Sequence, residues 1–233
     1  MNKKYSFLLT IFLAIALVSS NAGTVSANPI PVTGPQLENA SPASVSAVSL
    51  APFVASVATS GNPNQAAGIF AQGLFAAPIV QQPASAPGFV STEAEIATQF
   101  AMATQYGSIA LLAHNYLLGG QFFDVDMGEV LALVYGDGHI QTYRVVEVME
   151  YQALSPNSPY SDFVDLKDPT GQRISVTSLF YAVYAQEGKL VLQTCIEANG
   201  EPSWGRLFII AQPEEINIML VLPRNLALKH FMQ

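Results

Sequence analysis

The sequence predicts a mainly β protein whose back half, residues 92–213, forms one closed or nearly closed β-barrel with one N-terminal helix and one or two short connecting helices. Three observations predict it. Apolar runs of strand length recur at short intervals, at 108–114, 130–135, 139–150, 189–195 and 206–211. Gly136-Asp137-Gly138 lies between two of them, a strong hairpin signal. Helical patterns are few and brief, which argues against strands and helices alternating over a parallel sheet. About 120 residues suffice for one core at ordinary domain size.

Taken in chain order, the first element is a secretory signal over residues 1–27. Lys3 and Lys4 supply the positive start, an apolar run covers 7–18, and Val25-Ser26-Ala27 is a small-residue cleavage site. The apolar run is shorter than the ~20 residues that span a bilayer as a helix; the segment is either cleaved or kept as an anchor, and membrane contact is expected only through it. The chain is acidic, with 9 Lys and Arg against 17 Asp and Glu, and loss of Lys3 and Lys4 takes its formal charge from −8 to about −10. Nucleic acid is excluded as a partner on that ground, because such affinity comes mainly from Lys and Arg neutralising phosphates.

Residues 28–91 read as a flexible linker. No charged residue occurs between Asn39 and Thr92, Ala and Ser abound, and prolines stand at 29, 31, 35, 42, 52, 63, 78, 83 and 87. Such spacing interrupts helices and central strands, and small side chains bury little area against the entropy of ordering. Ile69-Phe70 and Leu74-Phe75 have the spacing of a short helix docking on the barrel. Thr92-x-x-Glu95 is a capping-box pattern ahead of Ile96, Phe100 and Ala103, predicting a helix of about three turns that ends near Gly107. The run 108–114 then reads as a buried strand ending in His114. Residues 155–171 read as a long loop, 176–185 as a short helix packing Leu179, Phe180 and Val183, and 214–233 as a C-terminal tail. Within that tail, the apolar run 218–222 is too short to cross a membrane.

Cys195 is the only cysteine, so no internal disulfide exists. A lone thiol in an exported chain is either a buried small hydrophobe or a nucleophile. A nucleophilic cysteine needs access and a cationic neighbour that favours the thiolate. His114 closes one apolar run and Arg206 opens another, so a barrel can bring all three to one rim.

Ser108-Ile-Ala-Leu-Leu-Ala-His114, Phe122-Phe123-x-Val125-x-x-Gly128-Glu129, Leu192-Gln-Thr-Cys195 and Arg206-Leu-Phe-Ile-Ile, in that order, resemble the sortase family. The resemblance covers roughly residues 92–213 and implies a sortase-like closed β-barrel. It also implies an exported cysteine transpeptidase of the cell envelope. Its protein substrate would carry a sorting-signal peptide of the Leu-Pro-x-Thr-Gly type, and its acceptor would be an amine on cell wall or pilin. On that resemblance Cys195 is the nucleophile, His114 the general acid and then base, and Arg206 the group that holds the substrate backbone and the oxyanion. Thr194, Trp204 and Asn115 are candidates for substrate contact. Asn115 stands where a basic residue is common in the family, and Gly128-Glu129 where Gly-Asp is usual. With water as acceptor the same site would make a peptidase. A sortase-fold protein that only binds or scaffolds envelope peptides is the alternative.

No cofactor is expected. Asp162, Asp165 and Asp168 suggest calcium, but their spacing does not match an EF-hand loop, and no zinc spacing, phosphate loop or nucleophile elbow is present. His139 and His230 read as surface residues. Ile30-Pro31-Val32-Thr33-Gly34 looks like a sorting signal with Ile for Leu, yet no apolar segment and basic tail follow it. In a Pro-rich stretch it reads as a chance match.

Overall fold

A computed structural model describes residues 49–214. The signal segment, Ile30-Pro31-Val32-Thr33-Gly34, the apolar run 218–222 and His230 lie outside the described residues. Among the described residues ten strands make one sheet: β1 Ala66–Ala71, β2 Phe75–Gln81, β3 Ala97–Gln99, β4 Ile109–Leu112, β5 Val130–Tyr135, β6 Ile140–Ala153, β7 Phe163–Asp165, β8 Arg173–Ile174, β9 Leu190–Ala198 and β10 Glu201–Pro213. Their order is β10-β9-β4-β3-β2-β1-β5-β6-β7-β8, and a further β10–β6 pairing closes eight of them into a barrel. β7 and β8 extend the sheet beyond β6 as a flap. The β2–β3 and β4–β9 pairs are parallel and the others antiparallel. Among the described residues three α-helices accompany the barrel: α1 Leu50–Val57, α2 Ala101–Thr104 and α3 Val176–Tyr184. A 3-10 helix covers Leu118–Asp124.

Why the strands of the back half read as nearly continuous apolar runs follows from their having two buried faces. Leu190 and Leu192 of β9, with Leu207, Ile209 and Ala211 of β10, fill the barrel interior. Val191, Phe208 and Ile210 alternate with them on the outer wall and pack beneath Leu179, Phe180, Val183 and Tyr184 of α3. The cap of α3 is Ser175, whose hydroxyl accepts from the Ser178 backbone N–H. The hairpin at Gly136-Asp137-Gly138 joins β5 and β6 as the sequence predicts, with Gly138 at φ 91°.

The front of the barrel departs from expectation. Part of the stretch read as linker is ordered: residues 50–57 form α1, and 66–71 and 75–81 form β1 and β2, two staves of the barrel. The barrel therefore begins at Ala66 rather than Thr92. Pro52 is harmless because it sits in the first turn of α1, where backbone N–H groups have no intrahelical partner. Pro78 is exposed and precedes the β3 pairing, which starts at Ile79, so only β1 lies alongside it. Ile69-Phe70 and Leu74-Phe75 are not a helix; they flank the turn that joins β1 to β2, where Gly73 takes φ 78°. Gly68 is required by packing, since a Cβ there would lie 2.7 Å from the Phe53 ring of α1.

The three-turn helix expected over 92–107 is likewise replaced, by β3 and the single turn α2. Glu95 has φ 58°, so no capping box forms. Ala97 and Thr98 are wholly buried between β2 and β4, and the Thr98 hydroxyl accepts from Ser91 N–H at 2.8 Å. Sheet pairing on both sides outweighs a modest helix propensity. The loop predicted over 155–171 also contains a strand, β7, paired with the end of β6.

Candidate active site

Strand register sets Cys195 and Arg206 opposite each other on β9 and β10 and leaves His114 just past the end of β4, the strand on the other side of β9. The parallel pairing of β4 with β9 runs to Leu112 opposite Gln193, and an Ala113 N–H bond to the Gln193 carbonyl continues it. Two residues further on each strand stand His114 and Cys195. Cys195 shares the parity of Val191 on β9 and Arg206 that of Phe208 on β10, so both belong to the outer-wall side of the sheet. The same level continues outward. Arg206 faces Tyr151 of β6, and Tyr151 faces Asp165 of β7. Beyond them a cavity of about 420 Å³ is lined by Tyr151, Asp165, Asp168, Arg173 and the N-terminal serines of α3.

The three side chains are shut in, at 4 %, 1 % and 2 % exposure for His114, Cys195 and Arg206. The His114 ring stacks on Tyr116, with centroids 5.1 Å apart and planes at 22°. Burial pushes the imidazole below its ordinary pKa, against a hydrogen bond to the Val90 backbone that raises it. Burial also pushes the Cys195 thiol up; the Arg206 charge and the nearby Ser203 side chain oppose this, and Glu201 adds to it. At neutral pH the resting pair is thus thiol and neutral imidazole.

The Arg206 guanidinium donates through Nη1 to the carbonyls of Ser203 and Gly205, each at 2.8 Å. Its Nε is buried without a hydrogen-bond partner. A buried donor left unmade costs about 1–3 kcal/mol, so a carbonyl or oxyanion brought to this face has a donor ready for it.

Of the residues expected to touch substrate, Thr194 does not face the site. It is wholly buried with its side chain on the interior parity, and its hydroxyl donates to the Ala113 carbonyl at 2.9 Å, tying β9 to the end of β4 just before His114. Asn115 donates from Nδ2 to the Pro202 carbonyl at 3.2 Å, holding the β9–β10 hairpin. Trp204 is half-buried in that hairpin. Tyr116, Ser203 and Tyr151 were not signalled by the sequence. Tyr116 stands two residues after His114, while the other two are brought in only by strand register.

Asp165 and Asp168 line the outer cavity but accept from their own loop: Asp165 Oδ1 from Lys167 N–H at 2.8 Å, Asp168 from the Thr170 N–H and hydroxyl. Among the described residues no group of three or more His, Cys, Asp or Glu is placed to hold a metal ion.

No protein-family model matches the sequence, and no curated protein matches it. Solved structures that it resembles include sortases. Sortase A of Listeria monocytogenes is 15% identical at a TM-score of 0.40, over 65% of this chain and 88% of that one. Sortase C of Clostridium perfringens SM101 is 11% identical at 0.39, over 66% and 72%. A lid mutant of sortase A from Corynebacterium diphtheriae is 13% identical at 0.42, over 70% and 73%.

Proposed function

We propose that this chain is a sortase-like cysteine transpeptidase acting outside the cytoplasm, at the cell envelope. The observation that supports the reading is the register of Cys195 on β9 directly opposite Arg206 on β10, with His114 two residues past the end of β4, the strand beside β9. In the proposed reaction the Cys195 sulfur attacks the carbonyl carbon of a threonine in a sorting peptide. The Thr–Gly C–N bond breaks, His114 passes to the leaving amine the proton it has taken from the Cys195 thiol, and a thioester remains on Cys195. An acceptor amine, deprotonated by His114, then attacks the thioester and releases the thiol. The free Nε of Arg206 is the donor for the oxyanion formed in both steps.

An extended substrate lying along this level crosses strands about 4.8 Å apart at about 3.4 Å per residue. Three strand spacings from Cys195 to Asp165 therefore carry the peptide about four residues from the scissile carbonyl, to the polar cavity beside Tyr151. Burial of the thiol favours a second reading, a sortase-fold protein that binds envelope peptides without turnover. Incubation with a threonine-containing sorting peptide followed by intact-protein mass spectrometry separates the two. The first reading expects a thioester adduct that disappears in Cys195→Ala and is released by an added amine. A protein that retains peptide but never forms the adduct is a binder.

A further inference from the structure

The chain turns back on itself directly after His114. Leu117 N–H donates to the His114 carbonyl at 3.0 Å, and Gly119 N–H to the same oxygen at 3.0 Å, so residues 114–117 form a tight turn. Asn115, its second residue, is tied through Nδ2 to the Pro202 carbonyl at 3.2 Å. Tyr116, its third, is carried back over the first, and its ring lies against the His114 imidazole with centroids 5.1 Å apart and planes at 22°. The two members of this stack differ in exposure, at 4 % for His114 and 60 % for Tyr116. One ring is enclosed, and the ring lying on it is open to water over most of its surface. Among the described residues Tyr116 has no second ring partner, and its hydroxyl has no hydrogen bond. The backbone beneath it is pinned, whereas the ring is kept in place by the stack, a contact worth about two- to tenfold in population. Rotation about its side-chain torsions lifts it off without moving the strands.

We propose that Tyr116 is a displaceable cover over His114 that governs the choice of acceptor, holding bulk water off the imidazole and yielding to an amine carried on a chain. As a role in acceptor choice this rests on the transpeptidase reading. There the Cys195 thioester is released by whichever nucleophile His114 deprotonates. Attack by an amine nitrogen gives a new amide and attack by water gives a carboxylic acid; in each case the C–S bond breaks and the proton taken by His114 passes to the sulfur. Water needs only a path to the imidazole, and a site closed to water avoids that hydrolysis. An amine on a peptide-like chain brings apolar surface that packs on the displaced tyrosine ring and offsets the lost stack, and water brings none.

The cover is tested without turnover by diethyl pyrocarbonate on the full chain, with the modification of each histidine followed by peptide-resolved mass spectrometry at about pH 7.5. The reagent takes neutral imidazole, and burial holds His114 below its ordinary value of 6.5, so its rate at that pH reads access. Tyr116→Ala is expected to speed the modification of His114 about three- to tenfold and to leave that of His139 unchanged. Tyr116→Phe keeps the ring and is expected to stay as slow as the unaltered protein. Thermal melts establish that each variant is folded, and Tyr116→Ser truncates the same ring should the alanine variant melt early. An unchanged His114 rate in the truncated protein overturns the proposal. So does an equal acceleration of Cys195 alkylation by iodoacetamide, which would mean that the whole site has loosened. Acceptor choice is read separately, from the products formed with a sorting peptide and a tripeptide bearing a free amino terminus. Tyr116→Ala is expected to raise the ratio of hydrolysed to transferred peptide about threefold or more, and an unchanged ratio overturns that role. Absence of any thioester in the unaltered protein would remove the transpeptidase reading, and the role in acceptor choice with it, while the histidine modification still decides whether Tyr116 covers His114.

Discussion

At Cys195 and His114 burial acts in opposite directions on the two groups that the proposed chemistry requires. His114 must carry a proton to give it to the leaving amine, and Cys195 must lack one to attack. Burial lowers the first pKa and raises the second, so molecules with both correct forms are a minority at every pH and most frequent between the two values. The expected profile of kcat/KM against pH is a broad bell. Its acid limb lies below the ordinary histidine value of 6.5 and its alkaline limb above the ordinary thiol value of 9.0. A narrow bell lying between those two ordinary values, measured with a fluorogenic sorting peptide, would contradict this. Arg206→Lys is expected to lower kcat/KM by about 10²–10³, because an ammonium cannot keep two carbonyls with one nitrogen and present a second donor to an oxyanion. Each member of the trio was legible as a candidate because it closes or opens an apolar run, although in the fold only His114 stands past a strand end, while Cys195 and Arg206 lie inside β9 and β10. Ser203 was not legible, since its place depends on a two-residue mismatch between β9 and β10 that no local pattern announces.

The elements around the trio are held by a few tight approaches. The 3-10 helix Leu118–Asp124 packs its second residue, Gly119, so closely that a Cβ there would lie 2.7 Å from the carbonyls of both Ala113 and His114, and would also collide with the Thr194 hydroxyl. Gly119→Ala is therefore expected to cost about 1–3 kcal/mol as overpacking. It should also move His114, giving a loss of kcat larger than the loss of folded protein at the same temperature. Chemical denaturation and steady-state rates on one preparation would check both. Element types in the back half were legible, since β5, β6, α3, β9 and β10 follow from period and turn chemistry. The front was misread because composition outweighed pattern. In β2 the alternation of Phe75, Ala77 and Ile79 toward the interior is present in the sequence, but prolines and small residues hid it. In 92–107 the apolar spacing fits a helix as well as a strand followed by a turn, and only the partners β2 and β4 decide between them.

For the molecule as a whole, β1 and β2 are the staves that link β3 to β5. A chain truncated to begin at Thr92 lacks both, leaving β3 and β5 with open edges and Leu131 and Leu133 without their cover. It is expected not to fold, whereas a chain beginning at Leu50 should give the circular dichroism and cooperative melt of the full protein. Equal melting of the two would show that the barrel does not need its front staves. The pairing of β4 with β9 carries a further consequence. It is parallel, and the Thr194–Ala113 bond that seals it joins residues 81 apart in sequence. Parallel contacts between distant segments demand that a long loop be closed before they return anything, which makes them slow to form. His114 and Cys195 are brought near each other in the fold only by that seam. A newly made chain thus keeps its thiol and its imidazole apart until the intervening segment, including β5, β6 and α3, has found its place, and under the proposed reaction the folding clock of the barrel times the first moment at which the chain would react.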